Sequence, residues 1–395
     1  MYDGDTVVGS EGSVDGDEIG SEDDSVKRRA SDPSLPSSNP TKSYWQDSPP
    51  FPHLDTSPDD TPARADVVII GSGMTAAGVA LSFLPLMASK GKAPVVFVAE
   101  ARKICSGATA RNAGHINIAP YRVENAKALK ELGSVYPLAE VREFETVHLH
   151  HDREEFEKDK ASLEDLRQKY PQYEVEVLGG NEVKTYANSP AWGAISHRAG
   201  SFRPVHFVTS IWDDLRGQCP NLRISINNPV EDITITTSSS HPYSVTFSRG
   251  TLQARHVVHA TDSHATHLLP GLEPGLTGFH HAAWDDGVYD GDTVNCLKEC
   301  MKSVFGPQLV EPTAMTKIWS GTTGVTGDFL PFVGRIPPQF TGRENPSGQA
   351  AVSEDSSLVT PGELDFRWLS GQGVTFALLS GQALEIQIAG MEDKG

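Results

Sequence analysis

Apolar residues are scattered without regular spacing at the start of the chain and become clearly patterned from Ala65 onward. Residues 1–62 are dominated by Ser, Asp, Pro and Gly, contain few aromatic side chains and show neither helical nor strand periodicity. A segment of this composition buries too little apolar surface to offset the entropy lost on ordering. We therefore expect residues 1–62 to form a disordered acidic tail.

The first regular element is a continuous apolar run from Ala65 to Ile70 that is rich in β-branched residues. Such a run is typical of a strand buried on both faces. A helical spacing of apolar residues follows between Ala80 and Met87, and a second apolar run extends from Val95 to Val98. The order strand, helix, strand predicts an α/β fold with a Rossmann-like domain, in which helices cover a mixed sheet.

The turn between the first strand and the helix has the form G-x-G-x-x-A. Gly71 allows the tight turn, Gly73 lacks a Cβ so that a diphosphate can approach the backbone, and Ala76 lets the helix pack closely on the strand. The first N–H groups of the helix favour an anion. Glu100, at the end of the second strand, can accept hydrogen bonds from a ribose diol. These residues together predict a bound dinucleotide.

Later segments predict a second, smaller and mainly antiparallel domain for the substrate. That domain would be built from the segments around residues 174–177 and 192–211. Residues 232–235, 243–247 and 252–258 alternate apolar and polar side chains, as the strands of an antiparallel ribbon do before the chain re-enters the dinucleotide domain. The charged stretch 140–170 has a helical spacing of apolar residues. We expect the dinucleotide domain to comprise residues 63–135, 215–275 and 312–395, and the substrate domain residues 136–214 and 276–311.

The composition limits which partners and which cellular compartment we expect for this protein. The 395 residues include 52 acidic and 33 basic side chains, a formal net charge of −19, which argues against nucleic acid and anionic membranes as partners. Four cysteines cannot form a disulfide framework, and neither they nor His148, His150 and His151 predict a metal site. The longest apolar stretch is too short to cross a membrane. We expect a soluble, cytoplasmic protein.

Two further segments favour a flavin over a nicotinamide cofactor. After Glu100 comes a run of small residues that extends to His115, as a flavin lying close to the backbone requires. Near the C-terminus, Leu369 to Gly373 forms a glycine-rich start to a helical pattern that continues to Ile388. The positive end of such a helix stabilises the negative charge that the flavin gains on reduction.

The sequence resembles the FAD-dependent oxidoreductases that include D-amino acid oxidase, glycine oxidase, sarcosine oxidase and γ-glutamylputrescine oxidase. It is most similar to fungal members, with ADVVIIGSG at the first strand and EARKICSGATARNAGH after the second. Further matches are the strand from Val257 to Thr261, the segment Trp319-Ser320-Gly321 and residues 327–334. The resemblance implies oxidation of a C–N bond in an amine or amino acid by hydride transfer to FAD, which O₂ reoxidises with release of H₂O₂.

The resemblance also implies a set of residues that contact the cofactor. The diphosphate would be held by Gly71, Gly73 and Ala76, with Thr261 nearby; Glu100 would bind the ribose, Arg102 the AMP half and Val230 the adenine. The ribityl chain and the flavin would be lined by Ser106, Arg111, Asn112, Gly114 and His115, and the residues near the flavin ring would be Gly371, Gln372 and Gly373. The set is completed by Met74, Thr75 and Ala101. No residue is assigned a catalytic role.

One departure from the family keeps two alternatives open. Thr261 and Trp319 are only 319 − 261 = 58 residues apart, and the family's R-G-x-M-like strand is absent from this interval. We therefore expect several strands on the substrate side of the flavin to be absent, which would mean an altered pocket, an exon-skipped gene model or an inactive relative. The alternatives to an active amine oxidase are a catalytically impaired FAD-binding relative and an NAD(P)-dependent dehydrogenase.

The N-terminal segment contains one basic cluster, Lys27-Arg28-Arg29, just before Ser31. Arginines two and three residues before a serine fit a basophilic kinase, and a phosphate on Ser31 before Pro33 would fit a 14-3-3 protein. A local charge fluctuation in a solvated tail is the simpler interpretation.

Overall fold

The computed structural model describes most of the chain in separate stretches. These are residues 30–31, 35–56, 61–116, 123–171, 174–184, 187, 190–272, 276–281, 286–287, 291–310, 316–326, 332–344, 360–367 and 373–391. None of the helices in these stretches has the length and apolar character that crossing a membrane requires.

The described residues form strands and helices that alternate along much of the chain. The strands are β1 (Ala30–Ser31), β2 (Arg64–Ile70), β3 (Val96–Ala99), β4 (His115–Ile116), β5 (Arg142–His150), β6 (Val175–Gly179), β7 (Gly193–Ser201), β8 (Leu222–Ser225), β9 (Val230–Ile235), β10 (Tyr243–Phe247), β11 (Gly250–His259), β12 (Leu276–His281), β13 (Gly321–Thr326), β14 (Phe332–Arg335) and β15 (Gly362–Arg367). The α-helices are α1 (Met74–Ser89), α2 (Val123–Val135), α3 (Arg153–Lys169), α4 (Gly180–Val183), α5 (Pro204–Gln218), α6 (Gly291–Phe305), α7 (Pro307–Val310), α8 (Pro338–Thr341) and α9 (Gly373–Ile388). Short 3₁₀ helices span Tyr44–Gln46, Pro52–Asp55, Ala108–Ala110, Pro137–Ala139, Asp262–His264 and Pro270–Leu272.

The chain divides into two compact units. Of the described residues, those within 114–202 and 289–318 form unit 1, and those within 24–113, 203–288 and 319–395 form unit 2. From residue 63 onward these limits differ from the expected domains at four places: residues 114–135 and 312–318 fall in unit 1, whereas 203–214 and 276–288 fall in unit 2. Helix α5 explains one difference, because its residues Phe207, Ile211 and Trp212 are fully buried and the Trp212 indole donates to the Ser72 carbonyl.

An eight-stranded mixed sheet forms the centre of unit 2. Its main path runs in the order β14-β15-β11-β2-β3-β8, with β10 paired to β11 and β9 to β10. Strand β2 lies between β3 and β11, parallel to both, and its residues Val67 and Val68 are completely buried. The apolar run of β2 therefore has partners on both edges and packing on both faces, as its sequence predicts.

Helices α1 and α9 of unit 2 pack together through glycines. A Cβ on Gly78 would lie 2.6 Å from the carbonyl oxygen of Leu378, and one on Gly381 would lie 2.6 Å from the backbone nitrogen of Val79. Distances below 3 Å leave no room for any side chain, so the two backbones are in direct contact.

Unit 1 contains a four-stranded antiparallel sheet. Strand β7 pairs with β5 along its whole length and with β4 and β6 along parts of it. The helical expectation for residues 140–170 is wrong in its first half, because 142–150 form strand β5 and only 153–169 form a helix. Nine residue pairs with β7 outweigh the local helical spacing. The helix begins at Asp152, whose side chain accepts from the Glu155 N–H at 2.9 Å.

The structure differs from the expected tail over residues 35–56. Leu54 and Ser43 are completely buried, and the indole of Trp45 donates to the Asn112 carbonyl at 2.8 Å. Few apolar residues are needed for this docking, since buried hydrogen bonds to backbone groups hold much of the segment. A composition argument counts apolar residues and therefore misses it.

Candidate functional site

A cavity of about 540 Å³ lies in unit 2 at the carboxyl ends of β2, β3 and β11. Ligands of open α/β sheets bind at this edge, and a volume between about 300 and 1,000 Å³ is usual for small-molecule sites. The lining is mostly apolar and contains a few charged groups, among them Glu100, Arg102, Arg111 and Asp286.

The glycine turn forms one wall of this cavity. Gly71 has a φ of +103°, and a Cβ there would lie 2.5 Å from the carbonyl oxygen of Ala260. Gly73 is the residue before α1, and a Cβ there would lie 2.9 Å from the Thr109 hydroxyl. That hydroxyl accepts from the Met74 N–H at 2.9 Å. The turn therefore exposes backbone, together with the N-terminus of α1, to the cavity, as an anion site requires.

Glu100 is buried where β3 ends, and its carboxylate organises the turn. One oxygen accepts from the N–H of Ser72 at 3.1 Å and from its hydroxyl at 2.6 Å, and the other accepts from the Arg102 N–H at 3.0 Å. A carboxylate has about four acceptor positions, so one remains beside these three bonds. Because Glu100 lines the cavity, this position can accept a hydroxyl from a ligand.

A buried cluster of two arginines and one aspartate lies beside the turn. Asp286 Oδ2 is 2.6 Å from Arg102 Nη1 and 3.3 Å from Arg111 Nε. Burial lowers the pKa of Arg111; the charge of Asp286 opposes that shift, and the charge of Arg102 adds to it. Arginine side chains nevertheless stay cationic in proteins. Asp286 thus faces two cations, and the buried carboxylate of Glu100 in the same cavity balances the remaining positive charge. Arg102 Nε is buried and has no hydrogen-bond partner among the described residues.

Arg111 also joins distant parts of unit 2. It donates to the carbonyl oxygens of Thr41 and Ser320, each at 2.6 Å. The segment around Thr41 is therefore part of the cavity's framework, and Leu35 and Pro36 line the cavity itself.

Comparison with known families decides what kind of protein this site belongs to. The model of the DAO family, described as FAD dependent oxidoreductase, matches residues 66–281, which is more than half of the 395-residue chain. The chain belongs to the DAO family of FAD-dependent oxidoreductases. It is therefore an enzyme of the oxidoreductase class. No curated protein matches the sequence significantly.

Solved structures with the same fold include several oxidoreductases. Glycine oxidase from Geobacillus kaustophilus superposes with a TM-score of 0.62 at 16% identity, over 84% of this chain and 96% of that one. L-amino acid deaminase from Proteus vulgaris, lacking its specific insertion, gives a TM-score of 0.63 at 15% identity, over 87% and 96%. L-α-glycerophosphate oxidase from Mycoplasma pneumoniae with FAD bound gives 0.55 at 12% identity, over 82% and 94%. At these identities the likeness shows the fold, which agrees with the α/β class expected from the sequence.

Most of the predicted cofactor residues of this oxidoreductase meet in the cavity. Those that line it are Gly71, Gly73, Met74, Thr75, Glu100, Ala101, Arg102, Arg111, Asn112, Val230, Thr261 and Gly373. Ala76 is buried inside α1, and buried Ser106 accepts through its carbonyl from Arg111 Nε at 3.1 Å. Gly114 and His115 belong to unit 1, where burial lowers the pKa of His115. Gly371 and Gln372 lie outside the described residues.

Sequence reasoning missed several residues of the oxidoreductase site. One is Thr109, whose hydroxyl accepts from the Met74 N–H at the start of α1. In the sequence this role is indicated only by a hydroxyl residue between two alanines in a run of small residues. Another is Asp286, whose carboxylate pairs with both arginines. It lies 175 residues after Arg111 in the sequence, so no local motif predicts the contact. Asp262 follows β11 with a φ of +52°, and burial raises its carboxyl pKa to about 7, with Asp365 adding to the effect and a Ser263 backbone hydrogen bond opposing it.

The cavity fits the cofactor that the family name specifies. Gly71 and Gly73 bring backbone without a Cβ to the cavity, and buried Arg102 Nε and Thr261 Oγ1 have no hydrogen-bond partner in the described part of the chain. Both residues line the cavity. A bound dinucleotide would give these groups the partners that buried polar atoms normally have.

Proposed function

We propose that this chain binds FAD in the cavity of unit 2 and oxidises the C–N bond of an amine or amino acid. The observation that carries the proposal is the joint position of the glycine turn, Glu100 and the arginine pair at one edge of the parallel strands. The turn suits a diphosphate, the carboxylate suits a ribose diol, and the unpaired Nε of Arg102 offers a cationic donor to an anionic cofactor.

The assignment of individual residues follows from what each one offers. Gly71, Gly73 and the N-terminus of α1 would hold the diphosphate, and Glu100 would accept from the adenosine ribose. Arg102 would use its unpaired Nε toward the AMP half. Val230 would present its backbone to adenine; its carbonyl oxygen already lies 3.1 Å from His267 Nε2 and has a second lone pair.

Bound FAD would supply the redox chemistry: acceptance of hydride from the carbon beside the substrate nitrogen and reoxidation by O₂ to give H₂O₂. The chain's own residues orient the cofactor and restrict water around it, because the cavity lining is mainly apolar. Gly373 begins α9, whose N-terminal dipole would stabilise negative charge on the nearby flavin edge. The assignment of residues 136–214 and 276–311 to a substrate domain stays a prediction.

Amines and amino acids are the favoured substrates because glycine oxidase and L-amino acid deaminase share the fold over nearly their full length. That coverage also weighs against an enzyme that has lost several strands after Thr261, despite the short interval in sequence. The structural match to an FAD-bound oxidase weighs against an NAD(P)-dependent dehydrogenase. Because that oxidase acts on a glycerophosphate, a C–O substrate belongs in any activity panel.

Two measurements on the purified protein test the proposal. An absorbance spectrum should show flavin bands, and denaturation should release FAD in a molar ratio near one. H₂O₂ release should then be assayed with D-amino acids, L-amino acids, N-methyl amino acids and polyamines, with glycerol phosphate and NADH as controls. Bleaching of the flavin bands by one of the amines is the expected result. Absence of flavin after reconstitution would overturn the proposal, and bleaching by glycerol phosphate alone would reassign the bond oxidised.

Ser31 and the compartment are separate proposals. The backbone of Ser31 pairs with Gly278 in the β1–β12 ladder, so a kinase would need to open this short strand before reaching the serine. Incubation with a basophilic kinase and mass spectrometry would test the site, with Ser31→Ala as control. A cytoplasmic location is best tested by imaging a tagged chain.

A further inference from the structure

Asp262 lies at the cavity edge where the glycine turn meets the end of β11. Strand β11 pairs in parallel with β2 up to His259 and Ile70, so the residues after both strands emerge side by side. The carbonyl of Ala260 touches Gly71 closely enough to exclude a Cβ there. Asp262 follows directly and lines the same cavity as Gly71 and Gly73. A carboxyl group is therefore placed beside the proposed diphosphate site.

The backbone and the surroundings of Asp262 are unusual for a surface acid. Its φ of +52° is left-handed, a conformation that Asp and Asn tolerate better than other side chains. Its Oδ1 is buried and has no hydrogen-bond partner among the described residues. A Cβ on Gly324 would lie 3.2 Å from that oxygen, so strand β13 closes over it. Burial raises the pKa of the carboxyl to about 7.

Few charges face this carboxyl from the elements packed against it. Strand β13 contains no ionisable residue. Strand β15 contributes Asp365, whose charge raises the pKa of Asp262 further, and Glu363, which is paired with His259 at 3.0 Å and with Arg343 at 2.8 Å. Strand β12 contributes His280 and His281, whose side chains lie outside the described parts.

The loop that carries Asp262 adds two further imidazoles, those of His264 and His267. The Nδ1 of His267 lies 3.1 Å from the His264 carbonyl oxygen, and its Nε2 lies 3.1 Å from the Val230 carbonyl oxygen. A neutral imidazole can donate to only one of these oxygens. Among the described residues, neither His264 nor His267 is a hydrogen-bond partner of Asp262 Oδ1.

We propose that Asp262 binds the cofactor diphosphate as a neutral carboxylic acid that donates its O–H to a phosphate oxygen. An ionised carboxylate beside a diphosphate would repel it in a site where water screens poorly. The neutral acid has a free donor, and phosphate oxygens accept strongly. Binding at alkaline pH therefore takes up one proton from solvent onto Asp262. The inference rests on the proposed function, because it concerns the same cofactor.

The linkage makes cofactor affinity depend on pH in a defined way. Below the pKa of the free carboxyl, the acid is already protonated and the dissociation constant for FAD should be constant. Above it, each pH unit should raise the dissociation constant about tenfold, the limit for uptake of one proton on binding. Asp262→Asn should abolish this dependence, because an amide donates without titrating and Asn fits the left-handed backbone.

Fluorescence titration with FAD between pH 6 and 9 tests the proposal. The wild type should lose affinity above pH 7, Asp262→Asn should bind equally at all pH values, and Asp232→Asn, at an exposed position on β9, should follow the wild type. A flat wild-type profile would overturn the role of Asp262, as would a wild-type slope retained in Asp262→Asn. No binding of FAD at any pH would instead overturn the proposed function.

Calorimetry gives a readout that does not depend on the variant folding. Titrating the wild type with FAD at pH 8.5 in two buffers of different ionisation enthalpy measures the protons exchanged on binding. Uptake of close to one proton is expected, falling toward zero at pH 6. Zero uptake at pH 8.5 would contradict the proposal even if Asp262→Asn could not be purified.

Discussion

The ion pairs Arg102–Asp286 in unit 2 and Lys160–Glu157 in unit 1 have similar N–O distances, 2.6 and 3.1 Å. The side chains of the first pair are 10% and 3% exposed, whereas those of the second are 39% and 56% exposed. The buried pair lines a cavity and shares its carboxylate with Arg111, while the exposed pair lies on the surface of α3. The buried charges of unit 2 therefore hold side chains of the cavity in place, whereas the exposed charges of α3 mainly keep the helix surface hydrated.

Removing the shared carboxylate should produce the largest effect. Asp286→Asn leaves two buried guanidinium groups without an anion, and breaking a buried pair in this way costs about 3–5 kcal/mol of unfolding free energy. Glu157→Gln in the exposed pair should cost less than about 0.5 kcal/mol. Urea unfolding of both variants measures the difference. Equal losses would show that burial of the cluster does not determine its contribution.

Filling the glycine turn should weaken cofactor binding without a comparable loss of fold. The Cβ of Gly73→Val would lie 2.9 Å from the Thr109 hydroxyl, and the remaining methyl groups would extend toward the cavity. We expect the dissociation constant for FAD to rise about 100-fold, equivalent to about 2.7 kcal/mol. Gly217→Val is the matched control, because no atom lies within 4 Å of a Cβ there. Full FAD occupancy in Gly73→Val would exclude the turn from the cofactor site.

The sequence predicted unit 2 better than unit 1 for physical reasons. The strand from Ala65, the turn at Gly71 and the helix ending at Ile388 follow from local residue preferences, and the structure confirms each element. The ribbon of residues 232–235, 243–247 and 252–258 is likewise confirmed. In unit 1, by contrast, strand β5 depends on pairing with β7 some fifty residues away, which no local pattern encodes.

The candidate site shows the same division. Gly71, Gly73 and Glu100 meet because parallel strands bring their carboxyl ends to one edge, and the motif spacing contains that information. Asp286 and Thr41 reach the site only through tertiary packing around Arg111. Asp262 carries no sequence signal, because its raised pKa comes from burial and from the charge of Asp365, and both depend on tertiary packing.

Acid should destabilise unit 1 through its histidine pair. The Nε2 atoms of His148 and His197 are 3.1 Å apart, and burial with the charge of His197 and His150 lowers the pKa of His148 to about 4. An unfolded His binds a proton near pH 6.5, whereas folded His148 binds one only near pH 4. The contribution of His148 to the unfolding free energy is therefore fully present above pH 6.5 and is lost as the pH falls toward 4.

Titration of unfolding free energy between pH 7 and 4 measures this effect. In His148→Gln the unfolding free energy should fall less steeply with decreasing pH than in the wild type. The difference in slope should be smaller than the one-proton limit of about 1.4 kcal/mol per pH unit, since His148 is partly exposed. His197→Gln should act in the same direction, because it removes a charge that lowers the pKa of His148. An unchanged profile in both variants would mean that the imidazoles separate before the unit unfolds.

The smallest effect is expected at the start of α3, where unit 1 uses a single side chain rather than a cluster. The Asp152 carboxylate accepts from the Glu155 N–H at 2.9 Å and satisfies one of the helix's free donors. Asp152→Ala should lower the unfolding free energy by about 1 kcal/mol, the usual cost of losing such a cap. Asp165→Ala, at an exposed position within the same helix, removes an equal charge without a cap and should change it by less than about 0.5 kcal/mol. Urea unfolding followed by far-UV circular dichroism distinguishes the two, and a similar loss in Asp165→Ala would assign the effect to net charge instead of the cap.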